Sequence, residues 1–311
     1  MTSITTADIA RTVEAHLQTI ASELRPDVLS ALVAARQDET NPMAQRTLDT
    51  LIENAKIAAK AGVPLCQDTG TAWVLVELAA DAQADLRGLQ AAIDQAVQRN
   101  FTAHGLRAST VRDAYSNRSN PGTNLPAFVE LVHRPDTDAG MSADNGKVIC
   151  KDDRVATIHT MLKGAGTDNS GCVAMLNPSS GEAGIEQLLL DTLHKRASMT
   201  CPPLIIGIGI GGTFDSVAGL SKRALLRPIN SSAAGQQTAD LEQRLLQVVN
   251  ATGIGSAALG GNTTALAVHV HTAPSHIASL PVAINLHCHS LRTRTTHLNQ
   301  DGCILPSGLT V

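Results

Sequence analysis

The sequence predicts an α+β fold with mixed sheets, a single compact unit over residues 1–311 with an N-terminal helical layer over about residues 6–62. Three observations lead there. Stretches of helical and of strand-like apolar spacing follow one another without a regular βαβ period. The chain shows no internal repeat and no low-complexity linker. At 311 residues and 43% apolar, it is long enough to bury a sizeable core.

The elements read in order as follows. Thr6 to Glu39 is helical, with Ile9, Val13, Leu17, Ile20 and Leu24 at helical spacing and Pro26 as the expected break. Met43 to Ala61 is a second helix, closed by Gly62 with Pro64 beyond it. Ala72 to Leu78 is a buried strand. Leu86, Leu89, Ile93 and Val97 mark another amphipathic helix, and Asn120-Pro121-Gly122 is a turn. Ala127 to Val132 and Val155 to Leu162 alternate like half-buried strands. Ile185 to Arg196 is helical and Leu204 to Ile210 is a buried strand interrupted by Gly. Asp215 to Leu226 and Asp240 to Val249 are helices; Thr264 to Val270 and Val282 to His287 are strands.

Composition removes several classes of function. One Trp, one Tyr and three Phe cannot furnish a stacking face for single-stranded nucleic acid. A net charge of −4 without a basic run argues against nucleic acid and anionic membrane surfaces. The polar start, Met1 to Asp8, lacks an apolar signal core, and no run of 18 apolar residues occurs. The expected compartment is the cytoplasm. Thiols stay reduced there, so the six Cys are buried apolar residues, metal ligands or reactive thiols rather than a disulfide framework.

Five stretches could carry chemistry. Pro64-Leu65-Cys66-Gln67-Asp68-Thr69-Gly70 joins a helix end to a strand and sets a thiol, an amide, a carboxylate and a hydroxyl in succession. Locally it is equally a polar turn around one buried Cys. Thr200-Cys201-Pro202-Pro203 aims its Cys rigidly, as suits a ligand, although a packed Cys before a strand is the commoner case. In Asn285 to Arg294, strand alternation would place His287 and His289 on one face and Cys288 on the other, which disfavours a His-Cys-His zinc site. Arg292 and Arg294 there could pair with a carboxylate, or the stretch is a solvated strand end. Lys163-Gly164-Ala165-Gly166-Thr167-Asp168-Asn169 could bring backbone N–H groups to an anion, or is a flexible turn. Leu106-Arg107-Ala108-Ser109-Thr110, followed by Asn120 to Pro126, could seat a carboxylate, although most Arg residues are surface charge. Gly207-Ile208-Gly209-Ile210-Gly211-Gly212 has the spacing of a dinucleotide fingerprint. No second βαβ unit follows it, and Arg227 rather than an acid stands about 20 residues on, so nicotinamide binding is set aside.

Taken in order, Cys66-Gln67-Asp68-Thr69-Gly70, Leu106-Arg107-Ala108-Ser109, Lys163-Gly164-Ala165-Gly166, Cys201-Pro202-Pro203, Gly207 to Thr213 and His276-Ile277-Ala278-Ser279-Leu280-Pro281-Val282 resemble the class I fumarase and tartrate dehydratase family, in its alpha-type or N-terminal part. The resemblance runs from about Ile9 to the C-terminus. Each motif is weak alone; the ordered set is specific.

The resemblance implies a [4Fe–4S] cluster held by the thiolates of Cys66, Cys201 and Cys288. Three ligands for four irons leave one iron open to act as a Lewis acid toward a small dicarboxylate. It implies that Gln67, Asp68, Arg107 and His276 belong to the substrate site: Arg107 clamping a carboxylate, His276 donating a hydrogen bond or proton, and Asp68 as an acid–base or orienting group. Gly164 and Gly166 would line the site with backbone. Cys150, Cys172 and Cys303 match no ligand position, and Ala165 stands where the family usually has Gly.

Complete single-chain members continue into a second domain, whereas this chain stops at Val311, so a separate beta-type subunit is expected. The assembly would be a heteromer, a dimer of heterodimers being one form. The implied reaction interconverts fumarate and malate, and His289 beside Cys288 leans that way. L-Tartrate dehydration to oxaloacetate is the alternative, with methylated fumarates a further substrate. A non-catalytic iron–sulfur or scaffold subunit is the reading from a different class.

Overall fold

The computed structural model describes residues 3–134, 154–302 and 304; Cys150 and Cys303 lie outside them. In chain order the elements are β1 (Ile4–Thr5), α1 (Thr6–Ile20), α2 (Pro26–Asp38), α3 (Pro42–Ala61), β2 (Thr71–Leu78), β3 (Ala84–Asp85), α4 (Leu89–Ala103), β4 (Phe128–His133), β5 (Ala156–Lys163), α5 (Ala165–Asp168), β6 (Cys172–Leu176), α6 (Gly181–Arg196), β7 (Leu204–Gly212), α7 (Ser216–Ala224), α8 (Gln236–Ala251), β8 (Ala265–Ser275), β9 (Leu280–His287) and β10 (Arg292–Leu298). The fold is α+β with mixed sheets, and among the described residues neither four-stranded sheet closes into a barrel. No helix among the described residues is long and apolar enough to cross a membrane.

The chain forms two compact units. Residues 1–21, 67–163 and 292–311 make the first; residues 22–66 and 164–291 make the second.

In the first unit the sheet order is β10-β5-β2-β4, with β5 antiparallel to both neighbours and β2 parallel to β4. Helix α1 begins in a capping box: Thr5 Oγ1 accepts from the Asp8 N–H, and Asp8 accepts in return from the Thr5 N–H. Its apolar stripe, Ile9, Val13, Leu17 and Ile20, packs with Ile93 and Val97 of α4 over Val74, Val76, Ile158 and Leu162 of the sheet. Strand β5, expected to be half-buried, is buried along nearly its whole length, because it is paired on both edges and covered by α1. One polar group is sealed into this core. His16 meets Thr160 Oγ1 at 2.9 Å through Nδ1 and Thr296 Oγ1 at 2.7 Å through Nε2. Burial, with Arg294 and His159 nearby, pushes its pKa down to about 3, so the ring is neutral at pH 7 and bonds both hydroxyls without a charge to solvate.

Pro26 does not break a helix but starts one. Helix α1 ends at Ile20, and Pro26 takes the first turn of α2, where its missing N–H would have been unpaired anyway. The Asp215–Leu226, Asp240–Val249 and Thr264–Val270 expectations correspond to α7, a longer α8 and a longer β8.

The second unit has the order β6-β9-β7-β8, with β7 parallel to β8 and antiparallel to β9. Leu189 and Leu193 of α6 and Leu241, Leu245 and Val249 of α8 cover one face, against Ile206, Ile208, Val268, Ile284 and Leu286. Helix α7 lies on the other face and sits almost on the backbone of β7. A Cβ at Gly207 would fall 2.1 Å from the Ser221 carbonyl oxygen, and one at Gly209 would fall 2.4 Å from that of Val217. These glycines exist for helix–strand contact, which accounts for their fingerprint-like spacing without a nucleotide.

Candidate active site

All three implied cluster ligands fall in the second unit. Cys66 stands where α3 has ended in a left-handed Gly62 cap. The segment before it is fastened to that helix: Asn54 Nδ2 donates to the Leu65 carbonyl at 3.0 Å, and Leu65 is buried. Cys201 precedes β7 with φ +51°, a left-handed backbone that a Cys rarely adopts. The next residue, Pro202, accepts from the Ala257 N–H at 2.8 Å, which fixes the direction of the segment. Cys288 follows β9 at the same end of the sheet, since β9 runs antiparallel to β7 and pairs His287 with Ile205.

His289 ties the Cys201 and Cys288 segments together. Its Nδ1 lies 3.1 Å from the Cys201 carbonyl oxygen, so that nitrogen carries the proton and donates it. The Val282–His287 strand read from the sequence ends where β9 ends. Strand β9 stops at His287, so two-residue alternation does not govern Cys288 and His289. Cys288 Sγ lies 3.0 Å from Ser290 Oγ.

The thiols feel one another. Burial pushes the Cys201 thiol up from its ordinary pKa, and Cys288 and Cys66 push it further. A Cys201 thiol that resists ionising beside two other sulfurs is a poor free thiolate but a suitable ligand for a cationic iron–sulfur group, whose charge reverses the balance. Among the described residues, no group of three or more His, Cys, Asp and Glu side chains is arranged around a single metal ion. A four-iron cluster spreads its thiolates over separate irons, so its ligands stand farther apart than those of one ion. Three cysteine sulfurs are the donor type that iron–sulfur clusters take. Cys172 is elsewhere, in β6, with its Sγ 3.3 Å from Thr192 Oγ1.

Gln67 and Asp68 follow Cys66 directly but belong to the first unit, as does Arg107. Asp68 Oδ1 accepts from the Gly70 N–H at 3.1 Å and lies 3.3 Å from Arg107 Nη2. Thr69 Oγ1 donates to the Arg107 carbonyl at 2.5 Å. The two stretches the sequence singled out, 67–70 and 106–110, are thus one structure. Asn124 joins them, a residue with no role assigned from the sequence. Fully buried, it donates to the Gly70 carbonyl at 3.1 Å and accepts from the Ser109 N–H at 2.7 Å. Its φ is +57°, a left-handed conformation that Asn takes more readily than most residues.

Gly164 is the N-cap of the short helix α5 in the second unit, and Gly166 lies within that helix. A Cβ on Gly166 would fall 2.8 Å from the Met199 carbonyl oxygen, so packing alone requires Gly there. Lys163, the last residue of β5, is buried.

His276 is not with the thiols. It sits in the exposed turn between β8 and β9, at the opposite end of the sheet from Cys201 and Cys288. The nine residues of β7 put about 26 Å between those ends. Its Nδ1 accepts from the Ala278 N–H at 3.1 Å, so the neutral ring carries its proton on the outward Nε2.

Comparison with known proteins agrees with the motif order. The sequence profile described as fumarate hydratase (Fumerase) matches residues 10–297. The putative L(+)-tartrate dehydratase subunit alpha of Methanocaldococcus jannaschii is 34% identical over 281 residues, covering 89% of this chain and 93% of that one. The L(+)-tartrate dehydratase subunits alpha of Escherichia coli K12 and Shigella sonnei are each 29% identical over 285 residues, covering 91% of this chain and 88% of theirs. With nearly its whole length matched, the chain belongs to the class I fumarate hydratase family of hydro-lyases.

Proposed function

We propose that residues 1–311 form the alpha-type catalytic part of an iron–sulfur hydro-lyase that interconverts fumarate and malate. The observation that carries this is the grouping of Cys66, Cys201 and Cys288 in one unit, close enough for the other two to raise the Cys201 pKa. Those three thiolates would hold a [4Fe–4S] cluster. When bound, it supplies a Lewis-acidic iron with no protein ligand.

The remaining work falls to the chain. Arg107 holds a substrate carboxylate; its guanidinium is more than half exposed and needs only to trade part of its pairing with Asp68. Asp68, freed of that partner, is placed to take or return a proton or to orient Gln67. Gly164 and Gly166 offer backbone without side-chain bulk. His276 enters as a donor from a second copy of the chain, because its own sheet holds it far from its own thiols. The relatives' names, subunit alpha, support a separate beta-type subunit and a heteromer. A reducing, cytoplasmic setting is part of the proposal.

The same names favour a second reading, L-tartrate dehydration to oxaloacetate. The test is to assemble the chain anaerobically with its beta-type partner and measure fumarate hydration and L-tartrate dehydration side by side. A kcat/KM at least about tenfold higher for fumarate supports the first reading. The reverse ratio replaces it with the second. No turnover of either by an iron-loaded complex leaves the scaffold reading.

A further inference from the structure

Arg292 opens β10 and is 2% exposed. Its Nε and Nη1 are buried without a hydrogen-bond partner, and no carboxylate of the described residues pairs with it. The partly buried Arg227 behaves differently, holding both oxygens of Glu242 at 2.5 and 3.2 Å. A guanidinium never loses its charge, and burying it unpaired is strongly unfavourable. A position like this is built for an anion that arrives later.

Its place in the first unit says which anion. Arg292 pairs in register with Leu162, and Leu162 with Ala72, so the three stand in one row across β10, β5 and β2. Two strand spacings put Arg292 Cα about 10 Å from Ala72 Cα, within reach for a long side chain plus a small ligand. Ala72 is the second residue of β2, two positions after the Gln67–Gly70 loop, which carries Asp68 of the Asp68–Arg107 pair. Two guanidiniums therefore serve the same end of this sheet: Arg107, exposed and partly paired, and Arg292, buried and unpaired. A dicarboxylate has two groups to offer them.

We propose that Arg292 is a substrate-binding residue, the second carboxylate clamp of the dicarboxylate site. This rests on the reading of the chain as a dicarboxylate hydro-lyase. Both fumarate and L-tartrate present the required pair of carboxylates, so the inference holds for either substrate.

The test uses the cluster-loaded complex with its beta-type partner, as wild type, Arg292→Gln and Arg292→Lys. Binding of fumarate, L-tartrate and the monocarboxylate crotonate is measured by calorimetry, alongside KM, kcat, iron content and Tm. The expected result is a dicarboxylate Kd and KM raised at least about tenfold in Arg292→Gln, with crotonate affinity within about twofold and iron unchanged. Lys should recover only part, since it cannot make the two-pronged contact. Unchanged dicarboxylate affinity in either variant overturns the proposal. So does equal weakening for all three acids with a lowered Tm, which is a structural role. Loss of the partner subunit with normal KM in the remaining complex also overturns it, and would assign the charge to that interface. If the wild type binds and turns over no dicarboxylate at all, it is the hydro-lyase reading that fails, not the assignment of Arg292 alone.

Discussion

Gly207→Val should leave no stably folded chain. The first side-chain carbon already collides with the Ser221 carbonyl oxygen at 2.1 Å and stands 3.0 Å from Leu225 Cγ, and valine adds two methyls beyond it. The obstacle is helix backbone, which cannot rotate away, so α7 must lift off the central strand of its sheet. Overpacking of that kind, added to the lost burial of Val217 and Ala224, should cost more than about 4 kcal/mol, a large part of a domain's stability. Gly219→Ala in the same helix is the control. Nothing lies within 4 Å of its new methyl, and alanine favours helix, so its urea midpoint should hold or rise slightly. A Gly207→Val chain with wild-type Tm would show that α7 does not lie against β7 as described.

The second large effect concerns function. Arg107→Leu should lower kcat/KM for the dicarboxylate by about 100-fold or more, roughly 3 kcal/mol of transition-state stabilisation, because the charge-assisted contact to the substrate carboxylate is lost together with the Arg107–Asp68 pair. Iron content should be unchanged, since Arg107 holds no metal in this account. Arg107→Lys should recover only part of the loss, as an ammonium cannot match the carboxylate fork. Wild-type kinetics in Arg107→Leu would remove the residue from the site.

Much of this was legible in the sequence, and the reasons are specific. Helix α1 was readable because its apolar period and its Thr5–Asp8 box agree. Its end was not, because Leu24 continues the spacing past the true stop and Pro26 serves equally to end a helix or to begin one. Strand β10 was hard to see. Arg292-Thr293-Arg294-Thr295-Thr296-His297 has no apolar alternation, yet it pairs along the whole of β5 with hydroxyls and histidines facing each other. The glycines of β7 have a fingerprint-like spacing that the sequence context already set aside, and the close approach of α7 gives that spacing its physical reason. The cysteines are far apart in sequence, and no spacing rule brings them together; the folding of β7 against β9 does so for Cys201 and Cys288. His276 shows the converse: a motif that travels with the site in sequence while standing at the other end of the sheet.

The central claim is that Cys66, Cys201 and Cys288 hold one iron–sulfur cluster. It is tested most directly by an anaerobic iron and sulfide assay on the purified chain and on its Cys66→Ser, Cys201→Ser and Cys288→Ser variants, with Cys172→Ser as the control. The account predicts about four irons and four sulfides per chain in the wild type and in Cys172→Ser, and their loss from each of the other three. No iron in the wild type, or iron indifferent to all three substitutions, would contradict it.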